Sequence, residues 1–183
     1  MNAVDKGTLL IAEPFLKDEN FRRSVVLLCE HDFTGTFGIA INRPTQTAVA
    51  DLLDGIGNHE LKLFDGGPVG KDHVHFLHRL PSHISGGVPI ADEIYWGGDL
   101  EEAKYAINSG IANENNIRFY LGYSGWGESQ LTDEMNEKSW LSIPAAQSLV
   151  FHPNCHIVWK DAVKRLGKEF LPIINYPLDP SLN

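Results

Sequence analysis

The chain has 183 residues, 43% apolar and 21% charged, a balance that suits one globular domain over 1–183 and excludes wholesale disorder. Asp and Glu number 24 against 15 Lys and Arg, a formal charge of −9, so direct nucleic-acid binding, which selects basic faces, is not expected. There is no run of ~18 apolar residues to span a membrane and no basic-then-apolar leader; Cys29 and Cys155 read as buried thiols of a reducing, cytoplasmic setting.

The first half reads as strands. Thr8 to Ala12 is a short apolar run stopped by Glu13-Pro14. Ser24 to Cys29 is apolar throughout, as a strand covered on both faces requires. Gly35 to Ile41 follows after a five-residue connection and is predicted to pair with it as a hairpin. Thr47 to Asp54 carries Val49, Leu52 and Leu53 at helical spacing before Gly55, which predicts a first helix. Leu61 to Phe64 is followed by a turn, Gly66-Gly67-Pro68-Val69-Gly70, and then by strand candidates at His73 to His78 and Ile90 to Trp96.

A helix is predicted from Asp99, with Glu102 completing a capping-box variant, Leu100, Ala103 and Ile107 on the buried side and Gly110 as stop. Ile117 to Leu121 is a strand with Arg118 and Tyr120 on the face opposite Ile117, Phe119 and Leu121. Gly122 to Gly127 then reads as a turn into a helix from Ser129 to Trp140. The last helix, Val158 to Leu166, sets Trp159, Ala162, Val163 and Leu166 at helical spacing, with Gly167 as terminator. Pro172, Pro177 and Pro180 predict an extended tail from about residue 171. Strands early, helices few and late, and no βα alternation indicate α+β with a largely antiparallel sheet.

Several constellations invite chemistry. His73 and His75 share one side of a strand, but no third ligand at matching spacing accompanies them, nor do His78 or His83 supply one, so no metal or cofactor is expected. Gly122-Tyr123-Ser124-Gly125-Trp126-Gly127 sits between a strand and a helix, yet Trp126 stands where a nucleophile elbow needs glycine. Its glycines permit close backbone approach, and the following helix start can hold an anion; the competing reading is a tight turn with Trp126 anchored in the core. Asn42-Arg43 ends a strand before Pro44, which holds Arg43 extended with its planar fork projecting. That fork suits a carboxylate or phosphate ligand as well as an internal ion pair. Arg22-Arg23 reads as edge decoration, and no helix-turn-helix pattern is present.

In this order the motifs resemble the AlgH/YqgE family, a widespread and largely uncharacterised bacterial group. The opening Gly7-x-Leu9-Leu10-Ile11-Ala12, Pro14, Asp18, Phe21 and Arg23-Ser24-Val25-Val26 carries the likeness. So do His31, Gly35, Gly38, Asn42-Arg43-Pro44 and Gly66-Gly67-Pro68-Val69, then Tyr123-Ser124-Gly125-Trp126 with Gln130-Leu131, Glu134 and Trp140-Leu141. Ser129 and Thr132 depart from the family pattern, which has glycine and glutamate there. The resemblance implies an α+β fold whose bifurcated sheet rolls into a pseudo-barrel with a few flanking helices. It also brings a transcriptional-regulator label from one branch.

Three functions compete. A non-enzymatic regulatory module would bind a small anionic ligand or a protein partner through Asn42, Arg43, Gly66, Gly67, Tyr123, Ser124, Gly125, Trp126 and Gln130, if these strand ends gather into one cleft. A hydrolase or transferase would use His31 as base, Ser24 or Ser124 as nucleophile and Arg43 as stabiliser, with a histidine nitrogen within reach of a serine hydroxyl. Direct DNA binding would need a basic face. The first is the reading the residues favour.

Overall fold

Apolar runs without polar alternation demand cover on both faces, and the computed structural model, which describes residues 4–177, supplies it. Strands β1 (Thr8–Ala12), β2 (Val25–Asp32) and β3 (Gly35–Ala40) form an antiparallel meander in which Leu9 to Ala12 and Val25 to Cys29 are fully buried. Hairpin partner β3 meets β2 across a bulge between Leu28 and Glu30, which leaves Cys29 as the extra residue; burial pushes its thiol pKa up. The remaining strands are β4 (Pro44–Ala48), β5 (Lys62–Asp65), β6 (Val69–His78), β7 (Val88–Ala91), β8 (Ile94–Trp96), β9 (Ile117–Gly127) and β10 (Trp140–Pro144). They join one ten-stranded sheet in the order β10-β1-β2-β3-β9-β6-β8-β7, with β4 and β5 branching off through a parallel β5–β9 pair.

The branching is built into β9. Along one edge its first half pairs with β5, from Leu63↔Phe119 to Asp65↔Leu121, and its second half pairs with β3, from Gly38↔Ser124 to Gly35↔Gly127. The other edge pairs with β6. Gly122, at φ +71°, breaks the alternation between the two halves, a conformation that an L side chain resists. Before it, Ile117 and Phe119 face one apolar cluster and Tyr120 another; after it, Trp126 enters a third. The largest cluster fills the inside of the curled sheet and is closed by helix α4 (Val158–Leu166), whose Val158, Trp159, Ala162 and Val163 are buried as its spacing predicts. Helix α1 (Leu100–Asn108) covers the second cluster with Ala103, Ala106 and Ile107. Helix α2 (Gln130–Asn136) covers the third with Leu131. The sheet curls into a half-barrel whose ends approach each other, where Gly7 comes so close to Ile90 and Ala91 that a Cβ there would meet both at 3.0 Å.

Several local expectations need correction. Thr47 to Asp54 is not a helix: β4 runs to Ala48 and a single 3₁₀ turn, Val49–Asp51, follows, tied by the Asp51 carboxylate accepting from the Ala48 amide. Ile90 to Trp96 is two strands, β7 and β8, because Asp92 and Glu93 adopt φ of 42° and 60°, the conformation of a two-residue hairpin turn. Gly122 to Gly127 is strand, not turn. The helix predicted over Ser129 to Trp140 ends at Asn136, and Trp140 opens β10. Asp99 does cap α1, accepting from the Glu102 amide at 2.9 Å, but Leu100 lies exposed. Cys155 is only half-buried. The predicted extended tail is a 3₁₀ helix over Lys168–Asn175 that includes Pro172; Pro180 lies outside the described residues.

Candidate functional site

The predicted site residues fall into two adjoining groups. The first surrounds the fork of the sheet. Asn42 uses its whole amide on backbone: Oδ1 accepts from the Val25 amide and Nδ2 donates to the Arg23 carbonyl, both at 2.9 Å. This fixes Arg23 in its positive-φ conformation. Arg23 does not decorate an edge; its guanidinium lies 4.9 Å over the Trp159 ring and donates to the Tyr176 carbonyl. Arg43 donates to the Asn20 carbonyl and, at 3.3 Å, to the Ser24 hydroxyl, and its Nε lies 4.0 Å from Asp65. Asp65 also accepts from Lys71 and from the Gly67 amide. The two cations at the fork therefore share one carboxylate.

Gly66 and Gly67 sit inside the fork. The Gly66 amide donates to Leu121, and its carbonyl accepts from the Ala40 amide and from the Ser124 hydroxyl at 3.1 Å. A Cβ on Gly66 would stand 2.2 Å from the Gly122 carbonyl oxygen, and one on Gly67 2.2 Å from the Tyr123 carbonyl. The pair closes the gap between backbones, and Ser124, fully buried, is spent on the same junction.

The second group lines an open groove of about 460 Å³ between the β2–β3 hairpin and the end of β9. Phe37, Val69 and Tyr123 supply its apolar surface, with Glu30 and Asp32 beside them; Gly125 and Trp126 also line it, the Trp126 side chain being buried on the other face of the sheet, and Asn42 and Arg43 are not in its lining. Asp32 accepts from the Thr34 hydroxyl at 2.6 Å and amide at 2.7 Å, and these bonds, the hydroxyl first, hold its carboxyl below the usual carboxylate pKa. Phe37 is the centre of a half-buried aromatic platform, with ring centroids 4.7 Å from Tyr123, 4.9 Å from Trp96 and 5.2 Å from His75. Burial first, then the neighbouring His73, lowers the His75 pKa, so the imidazole stays neutral through a wider pH range.

Trp126 and Gln130 belong to a hydrogen-bonded knot behind this groove. Glu134 Oε2 accepts from both indole nitrogens, Trp126 at 2.9 Å and Trp140 at 2.7 Å, and Oε1 accepts from Gln130 at 3.0 Å. The Gln130 side chain in turn accepts from the Gly127 amide. The Gln130 side chain thereby links the end of β9 to Glu134 across the first turn of α2. Replacing Glu134 by alanine leaves two indole donors without their acceptor, and at ~1–3 kcal/mol per unsatisfied buried group we expect a loss of about 2–4 kcal/mol. Glu134→Gln, which keeps an acceptor oxygen, loses less; equal losses in chemical denaturation would refute the two-indole role.

The catalytic candidates do not assemble. His31 Nδ1 lies 2.7 Å from the Thr36 hydroxyl, while Ser24 and Ser124 are engaged by Arg43 and Gly66. Among the described residues the one serine–histidine hydrogen bond joins the exposed neighbours Ser82 and His83. Nor do three or more His, Cys, Asp or Glu side chains gather among the described residues as metal ligands would. Burial lowers the pKa of His78, against the opposing effect of the Gly97 carbonyl that its Nε2 faces at 3.0 Å; its Nδ1 accepts from the Leu80 amide.

A family model described as AlgH-like matches residues 9–171. The chain belongs to the AlgH-like family. Relatives of this AlgH-like chain include a UPF0301 protein of Chlorobium limicola, 40% identical with all of both chains covered. Another, from Cytophaga hutchinsonii, is 42% identical over 97% of this chain and 98% of the relative. Its fold is similar to a crystal structure from Corynebacterium diphtheriae (TM-score 0.76, 25% identity, 96% and 94% of the two chains). It is also similar to the solution structure of AlgH from Pseudomonas aeruginosa (TM-score 0.74, 26% identity, 97% and 98%). No helix among the described residues of this AlgH-like chain is long and apolar enough to cross a membrane.

Two features escaped the sequence reading. One is the aromatic platform, whose four members come from β3, β6, β8 and β9. The other is Arg118, only 4% exposed, whose guanidinium donates to the carbonyls of Val150 and His152 at 3.1 and 2.6 Å and lies 5.0 Å from the centre of the Phe64 ring. Both carbonyls belong to the end of the short helix α3 (Gln147–Val150) and the residues after it. Strand alternation places Arg118 beside Tyr120, but nothing in the local sequence announces a cation buried against carbonyl oxygens.

Proposed function

We propose that this AlgH-like chain is a non-enzymatic regulatory module that receives a protein partner, rather than a small anion, in the groove between the β2–β3 hairpin and the end of β9. The observation that carries the reading is the part of the half-buried aromatic platform that lines the groove, Phe37 and Tyr123, beside the carboxyl groups of Glu30 and Asp32. Rigid aromatic surface is what protein interfaces use as anchors. The rim is acidic through Glu30 and Asp32, so it favours a segment with basic side chains, consistent with the net charge of −9. The cations that a small anion would need, Arg43 and Lys71, both face Asp65. The internal engagement of Ser24, Ser124 and His31 supports a non-catalytic role.

The test is an ¹⁵N-NMR titration of the intact chain with a short peptide of alternating arginine and tyrosine, run beside inorganic phosphate and citrate. We expect saturable changes at Phe37, Tyr123 and the Gly125 amide, weakened by added salt and reduced about tenfold in affinity by Tyr123→Ala. Changes caused by phosphate or citrate at Asn42 and Arg43 would replace this reading with the anion-binding one. Turnover of chromogenic esters that disappears in Ser124→Ala would replace it with the enzymatic one.

A further inference from the structure

A sheet edge that ends in open solvent needs some device to stop it pairing with other chains. Strand β10 is such an edge, paired on one side only, with β1. The Glu13 amide bonds to the Ser139 carbonyl, and the Ala145 amide to the Gly7 carbonyl. With the register Ala12↔Trp140 and Leu10↔Ser142, residues 139, 141, 143 and 145 face their bonds toward β1. The alternation of an antiparallel ladder then turns the N–H and C=O of Trp140 and Ser142 outward, together with the carbonyl of Pro144.

These outward groups do not face bare solvent. Trp140, Leu141 and Ser142 form the floor of a mostly apolar groove of about 360 Å³, walled by Met135 on one side and by Leu166 and Phe170 on the other. Met135 extends the cluster beneath α2, while Leu166 and Phe170 extend the cluster beneath α4. Both layers thus overhang the sheet edge and leave a slot between them. A strand laid in that slot would sit ~4.8 Å from β10, with alternate side chains against each wall. Lys138 stands in the lining at the start of β10, with no ion pair among the described residues, and adopts φ of 62°. That conformation ends α2, with the Ser139 amide bonding back to the Glu134 carbonyl.

We infer that the free edge of β10 is a docking slot for an extended peptide of another protein, which adds as an antiparallel strand with apolar residues at alternating positions and an acidic group at the C-terminal end, facing Lys138. Main-chain bonds to Trp140 and Ser142 hold it, and the walls select its side chains. A second copy of the chain is a poorer occupant, because a two-fold pairing would set one recess against an identical recess and fill neither. This inference concerns a different surface from the groove at Tyr123 and stands independently of the function proposed for that groove.

The test is selection of a random heptapeptide phage library on the immobilised intact chain. The winning peptide is then synthesised and measured by calorimetry and by amide hydrogen exchange. We expect enriched sequences to alternate apolar residues and to end in Asp, Glu or a free carboxylate. Saturating peptide should slow exchange of the Ser142 amide at least tenfold. Ser142→Pro removes the outward donor without breaking a bond to β1, so it should keep the fold and abolish binding; Lys138→Glu should weaken binding about tenfold. Absence of enrichment, enrichment without alternation, or undiminished binding to folded Ser142→Pro would each overturn the inference. Protection of Ser142 that grows with protein concentration alone would overturn it in favour of self-pairing.

Discussion

Gly66→Ala is expected to unfold most of this protein's tertiary structure at temperatures where the unmodified chain is intact. The added methyl would lie 2.2 Å from the Gly122 carbonyl oxygen and 3.2 Å from the Tyr120 Cβ. Both obstacles sit on β9, which is held on both edges by hydrogen-bonded neighbours and cannot swing aside as a flexible side chain would. Overpacking a core typically costs 1–3 kcal/mol when side chains can adjust. Against fixed backbone we expect at least about 4 kcal/mol, or a fall in melting temperature of roughly 8–16 °C for a domain of this size. Gly127→Ala is the matched control, because a Cβ there meets nothing within 4 Å. A thermal melt in which the two variants fall by similar small amounts would disprove the view that Gly66 closes the fork.

Arg118→Ala is the second large effect. The guanidinium is buried with backbone carbonyls as its hydrogen-bond partners, and bonds to a charged group contribute ~1.5–3 kcal/mol each. Losing them, with the contact to the Phe64 ring, should cost about 3 kcal/mol or more and loosen the segment from α3 to His152 first. Hydrogen exchange gives the sharper test. We expect amides around Val150 to His152 to lose protection before those of β1 and β2 do. Arg118→Lys keeps the charge but lacks the planar fork that reaches two carbonyls, so it should recover only part of the loss. Full recovery by lysine would show that charge alone, and not the fork, secures this corner.

The parts of this fold that were legible in sequence are those in which a local pattern has one physical meaning. Val25 to Cys29 can be stable only if covered on both faces, and it is. Trp159, Ala162 and Val163 lie on one side of any helix drawn through them. Misreadings occurred where a pattern has two meanings. Val49, Leu52 and Leu53 fit a helix face, but one 3₁₀ turn is enough to bury Val49 and pack Leu53 against the core, and it leaves Leu52 exposed. Glycines at 122, 125 and 127 suggest a turn, yet Gly125 is a strand position opposite Phe37, and Gly122 is the irregularity that lets one strand serve two sheet branches. The helix expected to reach Trp140 stops at Asn136, where Lys138 takes a positive φ and the Ser139 amide bonds back to the Glu134 carbonyl.

The candidate site was legible as a list of residues but not as an arrangement. Asn42 and Arg43 are correctly a polar pair at a strand end. Their partners are Arg23, Val25, Asn20, Ser24 and Asp65, separations of 17 to 23 residues that no local pattern encodes. The motif residues do not gather into the one cleft expected of them: one group closes a junction of backbones and the other lines a groove that Asn42 and Arg43 do not reach. Gly66 and Ser124 link the first group; Tyr123, Gly125 and Trp126 line the second.

The position of β9 also has a consequence for how the chain is made. This strand is the common partner of β3, β5 and β6, and it begins at residue 117. Until a ribosome has released it, β3, β5 and the long strand β6 each present an unpaired edge, and the apolar faces they carry have no shared centre on which to close. Locally paired pieces such as the β2–β3 hairpin can form early, but the half-barrel must wait for about two-thirds of the chain. Contacts of such wide sequence separation make folding slow and leave intermediates prone to association. Truncation before β9 should therefore give a fragment that aggregates.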